Sequence, residues 1–198
     1  MPKTVDRKEQ RRQIGAALLQ LIAERGLDEV SVRTVAAATG RSPGAVQKYF
    51  RTKDEMLTFA AELAGERVER RMAEVDTALP LRQALRDLIL TTLPVDAERR
   101  AEATAQLAFA VHAAHHPRLA AIRRQVDQDI REALATWLES AGHETHAAAV
   151  ADAVIALSDG LALRMLYSPQ EREHLITVLD QALNTLIPGH GTARHFRE

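Results

Sequence analysis

The chain has 198 residues, of which 46% are apolar, 27% charged and 4% aromatic, and it contains no cysteine. This length suits one large domain or two small ones, and the lack of cysteine excludes a disulfide framework, a thiolate metal site and a cysteine nucleophile. Residues 1–20 lack the apolar core of a signal peptide, so we expect a cytoplasmic protein.

The net charge of −1 hides an uneven distribution. Residues 1–53 hold eleven basic and five acidic residues and carry +6, whereas residues 54–198 hold 15 basic and 22 acidic residues and carry −7. A basic quarter joined to an acidic body predicts a polyanionic partner at one end of the chain only.

Helix-start and helix-stop residues occur along the whole chain. Apolar residues at spacings of three and four predict a first helix that ends at Gly26. Ser31 predicts the N-cap of a short second helix. Ser42 and Pro43 predict a cap and a first-turn proline for a third helix that ends near Phe50.

Six more helices are predicted downstream. Residues 52–55 (TKDE) have the form of a capping box and predict the start of a fourth helix that extends to about residue 76. Residues 168–171 (SPQE) have the same form and predict the start of a ninth helix. No strand alternation and no internal repeat is found, so the predicted fold class is all-α with about nine helices. The other helices are expected over about 79–94, 96–116, 117–142 and 145–167.

Residues 147–167 have the length of a membrane span. Asp152, Asp159 and Arg164 would each cost about 2.5–3.5 kcal/mol at a bilayer centre, so we expect no membrane partner. The alternative is a helix buried on nearly all sides, against its own body and a second subunit.

Residues 32–51 (VRTVAAATGRSPGAVQKYFR) have the pattern of a helix-turn-helix, whose second helix enters the DNA major groove. Four basic residues flank that helix, and Gln47 can pair bidentately with adenine. Helix pairs with a glycine turn also occur in helical proteins that do not bind DNA, but the +6 charge of the segment favours DNA. The four basic residues are Arg33, Arg41, Lys48 and Lys53.

The run from about Arg11 to Leu57, and above all SPGAVQKYFRTKDEML, resembles the DNA-binding region of the TetR family of bacterial transcriptional regulators. The length and the nine-helix layout also resemble this family across the whole chain. Residues 153–166 (AVIALSDGLALRML) resemble the penultimate helix of a subgroup that includes the glycine-betaine pathway repressor.

The resemblance implies a DNA-binding regulator rather than an enzyme. It implies a homodimeric repressor that binds a palindromic double-stranded operator and is released by a small hydrophobic effector, with no cofactor. A regulator that needs no ligand and is controlled by a protein partner or by its abundance is the alternative. The implied domains are a helix-turn-helix domain at 1–52, a helical effector-binding and dimerisation domain at 53–187 with a connecting helix at 53–76, and a loose tail at 188–198.

The resemblance also implies which residues touch DNA. Position 47 is usually tyrosine in the family, so Gln47 leaves the contact expected there open between base reading and a solvated side chain. The expected contact residues are Arg33, Thr34, Arg41, Ser42, Pro43, Gly44, Gln47, Lys48, Tyr49 and Lys53. An N-terminal arm either adds phosphate or minor-groove contacts or is a solvated tail; its basic residues are Lys3, Arg7, Lys8, Arg11 and Arg12.

In the family, helices five to seven enclose a ligand and the last two helices form the dimer. The pocket candidates are Phe109, His112, Trp137, Leu138 and Met165, with core packing as the alternative. The dimer candidates, with the same alternative, are Val154, Leu157, Leu161, Met165, Leu175, Val178, Leu179 and Leu183. Histidines 112, 115 and 116 have the spacing of ligands on one helix face, but exposed histidines are common at helix ends and no metal is predicted.

Overall fold

A computed structural model describes residues 7–143 and 145–188. Within these residues the chain forms nine α-helices and one 3-10 turn and contains no strand, which confirms the all-α prediction. The helices in chain order are α1 (Arg7–Arg25), α2 (Val32–Ala38), α3 (Pro43–Gln47), α4 (Lys53–Met72), α5 (Leu81–Thr92), α6 (Ala97–Ala113), α7 (Pro117–Ser140), α8 (Ala147–Tyr167) and α9 (Arg172–Leu186), with the 3-10 turn Pro169–Glu171 before α9. In this part of the chain no helix is both long enough and apolar enough to cross a bilayer.

Four helices begin at the polar caps that the sequence predicts. In each, the side-chain oxygen of the cap accepts a hydrogen bond from the backbone N–H three residues later, which satisfies a donor that the helix itself leaves unpaired. At α4 the carboxylate of Glu55 accepts from the N–H of Arg51 at 2.6 Å, one residue earlier than a standard capping box. The four cap bonds join Ser31 to Thr34 (3.2 Å), Ser42 to Ala45 (3.2 Å), Thr52 to Glu55 (3.1 Å) and Asp96 to Arg99 (2.8 Å).

Several predicted boundaries are wrong. Ser168 makes no side-chain cap, because its backbone (φ −128°, ψ 61°) is not in the extended conformation that an N-cap adopts, and the 3-10 turn precedes α9. Helix α3 ends at Gln47 rather than near Phe50, and α6 ends at Ala113 rather than at residue 116. The connecting helix α4 ends at Met72 rather than near residue 76.

Two clusters of buried apolar residues form the interior. The first, called the head core, contains residues of α1, α2, α3 and α4 together with Ala105, Phe109 and Ala113 of α6 and Leu119 of α7. The second, called the body core, is built mainly from α5, α7, α8 and α9. The predicted domain boundary between residues 52 and 53 falls within the head core, since Met56, Leu57 and Ala64 of α4 belong to it.

A buried carboxylate holds α4 on α6. Glu102 of α6 is 2% exposed and forms ion pairs with Arg71 and, at 3.6 Å, with Arg67, both from α4. Arg71 Nε also donates to the carbonyl of Thr91 at the end of α5 (3.2 Å). Because a buried charge is tolerated only when it is paired, this network fixes the positions of three helices relative to one another.

Candidate DNA-binding surface

The turn between α2 and α3 is a complete Schellman motif. Gly40 has a φ of +62°, which glycine adopts without the strain that a side chain causes. The N–H of Gly40 donates to the carbonyl of Ala37 (3.3 Å), and the N–H of Arg41 donates to that of Ala36 (2.9 Å). These bonds end α2 and fix the direction in which the chain enters α3.

One face of α3 is buried and the other is exposed. Val46 packs into the head core with Val35 and Ala36 of α2. This packing turns the other side of the short helix outward. The exposed residues on that side are Ser42, Pro43, Gly44, Gln47 and Lys48, all of which are predicted DNA contacts.

The other residues that are predicted to contact DNA differ in their exposure and in their hydrogen bonds to the rest of the protein. Arg33 is exposed at the start of α2, and Lys53 is half-buried at the start of α4. The guanidinium of Arg41 donates to Gln13 of α1 (3.3 Å). Thr34 uses its hydroxyl within the α2 cap, where it donates to the carbonyl of Glu29 (2.6 Å), and Tyr49 is half-buried against the head core.

The basic residues at the N-terminus belong to a helix, because α1 begins at Arg7. The alternative of a loose tail is therefore wrong for four of the five arm residues, while Lys3 lies outside the described residues. Arg11 lies 4.3 Å from the ring centroid of Phe59, and Arg12 pairs with Glu66 at 2.6 Å, so both contact their own protein.

A groove beside α3 adds basic residues that the motif alone does not identify. Arg7 Nη2 donates to the carbonyl of Lys48 (3.4 Å), which places the start of α1 beside the exposed face of α3. Arg51 is missing from the sequence-predicted set, although the charge count of the first 53 residues includes it. The groove is lined by Arg7, Lys8, Arg11, Lys48, Tyr49, Arg51 and Glu55.

A capped helix-turn-helix whose second helix is exposed on one side and flanked by the basic residues Arg41 and Lys48, carried by an all-α body, is typical of a DNA-binding transcription regulator. The family model "Bacterial regulatory proteins, tetR family" matches residues 14–58, and "BetI-type transcriptional repressor, C-terminal" matches residues 80–188. The chain belongs to the TetR family of bacterial regulators. The second match agrees with the subgroup resemblance of residues 153–166.

Relatives over most of the chain support the same assignment. The HTH-type transcriptional regulator PksA of Bacillus subtilis is 33% identical over 174 residues, which cover 85% of this chain and 84% of PksA. The nicotine-responsive repressor HdnoR of Paenarthrobacter nicotinovorans is 29% identical over 86% of this chain and 89% of its own. A solved transcriptional regulator from Rhodococcus is 38% identical, with a TM-score of 0.83 over 89% of this chain and 95% of that one. These are regulators, which confirms the prediction that the chain is not an enzyme.

The predicted pocket residues do not form one group. Phe109 is buried in the head core, whereas Leu138 and Met165 are buried in the body core with Trp137 packed against them. His112 lies elsewhere, beside Asp54 at the start of α4. The placement of an effector site therefore stays a prediction.

Most predicted dimer residues are buried within the protomer, so they cannot also form its outer surface. This burial agrees with the alternative of core packing. The apolar periodicity of α8 and α9 identifies the faces that pack inside the protomer, and these are the faces that were predicted to form the dimer interface. Leu157 and Val178 are half-buried. The residues buried in the body core are Val154, Leu161, Met165, Leu175, Leu179 and Leu183.

Proposed function

We propose that this regulator is a homodimeric repressor that binds a palindromic operator through the exposed face of α3. The observation that carries this proposal is that face, where Gly44 and Gln47 are exposed at the end of a helix anchored by Val46. Small residues let the backbone approach base edges, and Gln47 supplies an amide for reading adenine. Repression is supported by the match to the BetI-type repressor model and by the similarity to HdnoR, which is a repressor.

A selection from random duplexes tests this proposal. We expect the full chain to enrich an inverted repeat whose half-sites are centred about 34 Å apart, or a multiple of that distance, because two α3 helices must reach successive major grooves. Enrichment of a single half-site would contradict the dimer, and no enrichment at any salt concentration would contradict sequence-specific binding.

The outward face of α8 supports the dimer. Its apolar residues follow a spacing of four, three, four, three and four, which keeps them on one side of a helix. Leu163 and Tyr167 are 49% and 65% exposed. The remaining members are small, so a second helix could approach closely. The face consists of Ala149, Ala153, Ala156, Gly160, Leu163 and Tyr167.

Gly160 gives a specific test of that face. A Cβ atom built on Gly160 meets no atom within 4 Å, so the protomer itself has room for a side chain. We expect Gly160→Leu to keep the helical circular dichroism spectrum but to sediment as a monomer, because the new side chain would separate the two α8 helices. Ala133→Leu, on an exposed position of α7, is the matched control and should remain a dimer. A dimeric Gly160→Leu protein would remove this face from the interface.

Release by a small, mainly hydrophobic effector completes the proposal. Because α4 belongs to the head core and is also held to α6 through Glu102, a change in the packing of α6 would move the two α3 helices relative to each other. A ligand that binds the non-DNA arrangement better would then lower DNA affinity. The nicotine response in the name of HdnoR supports a small molecule as the signal.

A regulator without an effector is the second candidate. The observation in its favour is the burial of Phe109, Leu138 and Met165 in two packed cores. A thermal-shift screen of lipophilic metabolites, followed by DNA-binding titrations with each hit, separates the two candidates. The effector proposal expects a compound that raises the melting temperature and lowers operator affinity; a screen in which every stabilising compound leaves operator affinity unchanged would favour the second candidate.

A further inference from the structure

Three potential metal ligands meet where the end of α6 reaches the start of α4. His112 Nε2 lies 3.0 Å from Oδ1 of Asp54, and His116 lies beside them at the start of α7. One ligand atom from each residue lies within 4.8 Å of the others. The imidazole rings of His112 and His116 are stacked with centroids 4.0 Å apart, so the two rings lie directly beside each other at this site.

The hydrogen bonding of His116 leaves a nitrogen free for coordination. Its Nδ1 lies 2.7 Å from the backbone carbonyl of His112. Because a carbonyl only accepts, Nδ1 carries the proton, and Nε2 of the neutral ring keeps its lone pair. Among the described residues no partner is found for that Nε2. Metal-binding histidines are held in this way, with one ring nitrogen donating to a carbonyl and the other on the metal.

The site is open to solvent on the side of Asp54. The Asp54 side chain is 50% exposed, whereas His112 is 19% exposed, so an ion could enter from the Asp54 side. In a tetrahedral zinc site with bonds of about 2.0–2.1 Å, neighbouring ligand atoms lie about 3.3 Å apart. The separation between His112 and Asp54 is already close to that value. The ligand atoms of all three residues lie within 4.8 Å of one another, so rotation of the exposed Asp54 carboxylate and a small shift of the two histidines would bring them to this separation.

We propose that Asp54, His112 and His116 form a binding site for a divalent transition metal such as Zn²⁺, with water in the fourth position. Two imidazole nitrogens and one carboxylate oxygen, with an open fourth position, form a ligand set that zinc accepts in proteins, and imidazole also favours the neighbouring transition metals. The metal takes the place of the proton between His112 Nε2 and Asp54, and the His112 ring then carries its proton on Nδ1. His115, which the sequence groups with the other two histidines, is exposed and takes no part.

Bound metal would hold the end of α6 on the first turn of α4, and this stabilisation does not depend on the proposed operator or effector. Zinc titration of the full chain, purified without a histidine tag and treated with a chelator, tests the site by calorimetry. We expect one equivalent of Zn²⁺ that Asp54→Asn and His116→Gln lose or bind about tenfold more weakly. His115→Gln, the matched control beside the site, should keep it.

Co²⁺ supplies an independent measurement, because tetrahedral coordination gives it a strong visible absorption that octahedral hydration does not. The wild-type protein and His115→Gln should show this absorption, and Asp54→Asn should not. Asp54→Asn keeps the shape of a half-exposed side chain, so its circular dichroism spectrum should match the wild type. Equal zinc affinity in the wild type and Asp54→Asn, or no zinc binding by the wild type, would overturn the proposal and leave a plain His–Asp pair.

Discussion

Two helical glycines, Gly15 in the head and Gly160 in the body, have opposite surroundings. At Gly15, in α1 of the head, a Cβ atom would lie 2.5 Å from Cε1 of Phe59, so α1 packs against Phe59 of α4 too closely for a side chain at this position. At Gly160, in α8 of the body, the same atom would meet nothing. The space around Gly15 is therefore filled by side chains of the head itself, whereas the surface around Gly160 is open. Changes of equal size should act on folding in the first case and on assembly in the second.

The largest expected effect is at the junction of the two regions. Glu102→Gln removes the charge that Arg67 and Arg71 share, which leaves the partly buried Arg71 without a carboxylate partner and Arg67 with only the exposed Glu98. We expect a loss of about 3–5 kcal/mol in the free energy of unfolding, measured by urea denaturation. Glu98→Gln is the control, since Glu98 also pairs with Arg67 but is 63% exposed, and should cost under about 1 kcal/mol. Equal losses would show that burial of Glu102 does not matter.

Gly15→Leu tests the contrast between the glycines directly. The added side chain must displace the ring of Phe59, which lies against the tilted ring of Phe50 with centroids 5.3 Å apart. We expect overpacking to cost about 2–3 kcal/mol in urea denaturation at a fixed protein concentration. Sedimentation should still show the oligomeric state of the wild type, unlike Gly160→Leu. If Gly15→Leu dissociates the protein while its folding stability is unchanged, the contrast is wrong.

Lys53→Ala should weaken DNA binding alike for all sequences. The half-buried lysine at the start of α4 is expected to contact a phosphate rather than a base. Affinity should fall about fivefold at moderate salt, and the slope of log affinity against log salt should decrease in magnitude by about 0.9. Arg124→Ala, an exposed basic residue of α7, should leave both unchanged. A mutant that alters sequence preference would make Lys53 a base-reading residue.

The smallest effect concerns the cap of α6. The hydrogen bond from the N–H of Arg99, together with the Arg99 guanidinium, lowers the pKa of Asp96 from its ordinary value. A lowered pKa means that the folded state prefers the charged form of Asp96. The contribution of this charge to the free energy of unfolding is therefore complete above the ordinary aspartate pKa and is lost as the pH falls through the lowered pKa of the folded state. Asp96→Ala should cost about 0.5–1 kcal/mol at neutral pH. The loss of stability caused by Asp96→Ala should become smaller in acid. If the loss is the same at both pH values, the charge of Asp96 does not contribute to the stability of the cap.

Local signals predicted much of the head from sequence. Caps and glycine stops act within a few residues, so Ser31, Gly40, Ser42 and Thr52 lie where the sequence places them. The exposed half of the DNA-contact set follows from the same local geometry. Contacts between distant helices were not predictable in this way, such as the pairing of Arg41 with Gln13 or the position of Arg7 beside Lys48.

The body is harder to predict for a physical reason. Helix α8 has apolar or small residues around most of its circumference, so periodicity does not distinguish the face that meets α7 and α9 from the face that meets solvent. Val154 and Leu161 were therefore predicted at the dimer interface, with core packing as the alternative, and they lie in the core, whereas no sequence signal identified the small residues on the exposed side. The Asp54–His112 pair joins residues 58 positions apart and has no local signal at all.

The contribution of α6 to the head core limits how modular this regulator is. Ala105, Phe109 and Ala113 of α6, with Leu119 of α7, complete an interior formed mainly by α1–α4, although they lie far beyond the helix-turn-helix in sequence. A DNA-binding fragment cut after α4 would expose that interior to water. Chimeras that exchange operator specificity between relatives should therefore transplant the exposed residues of α3 and leave the helices beneath them in place.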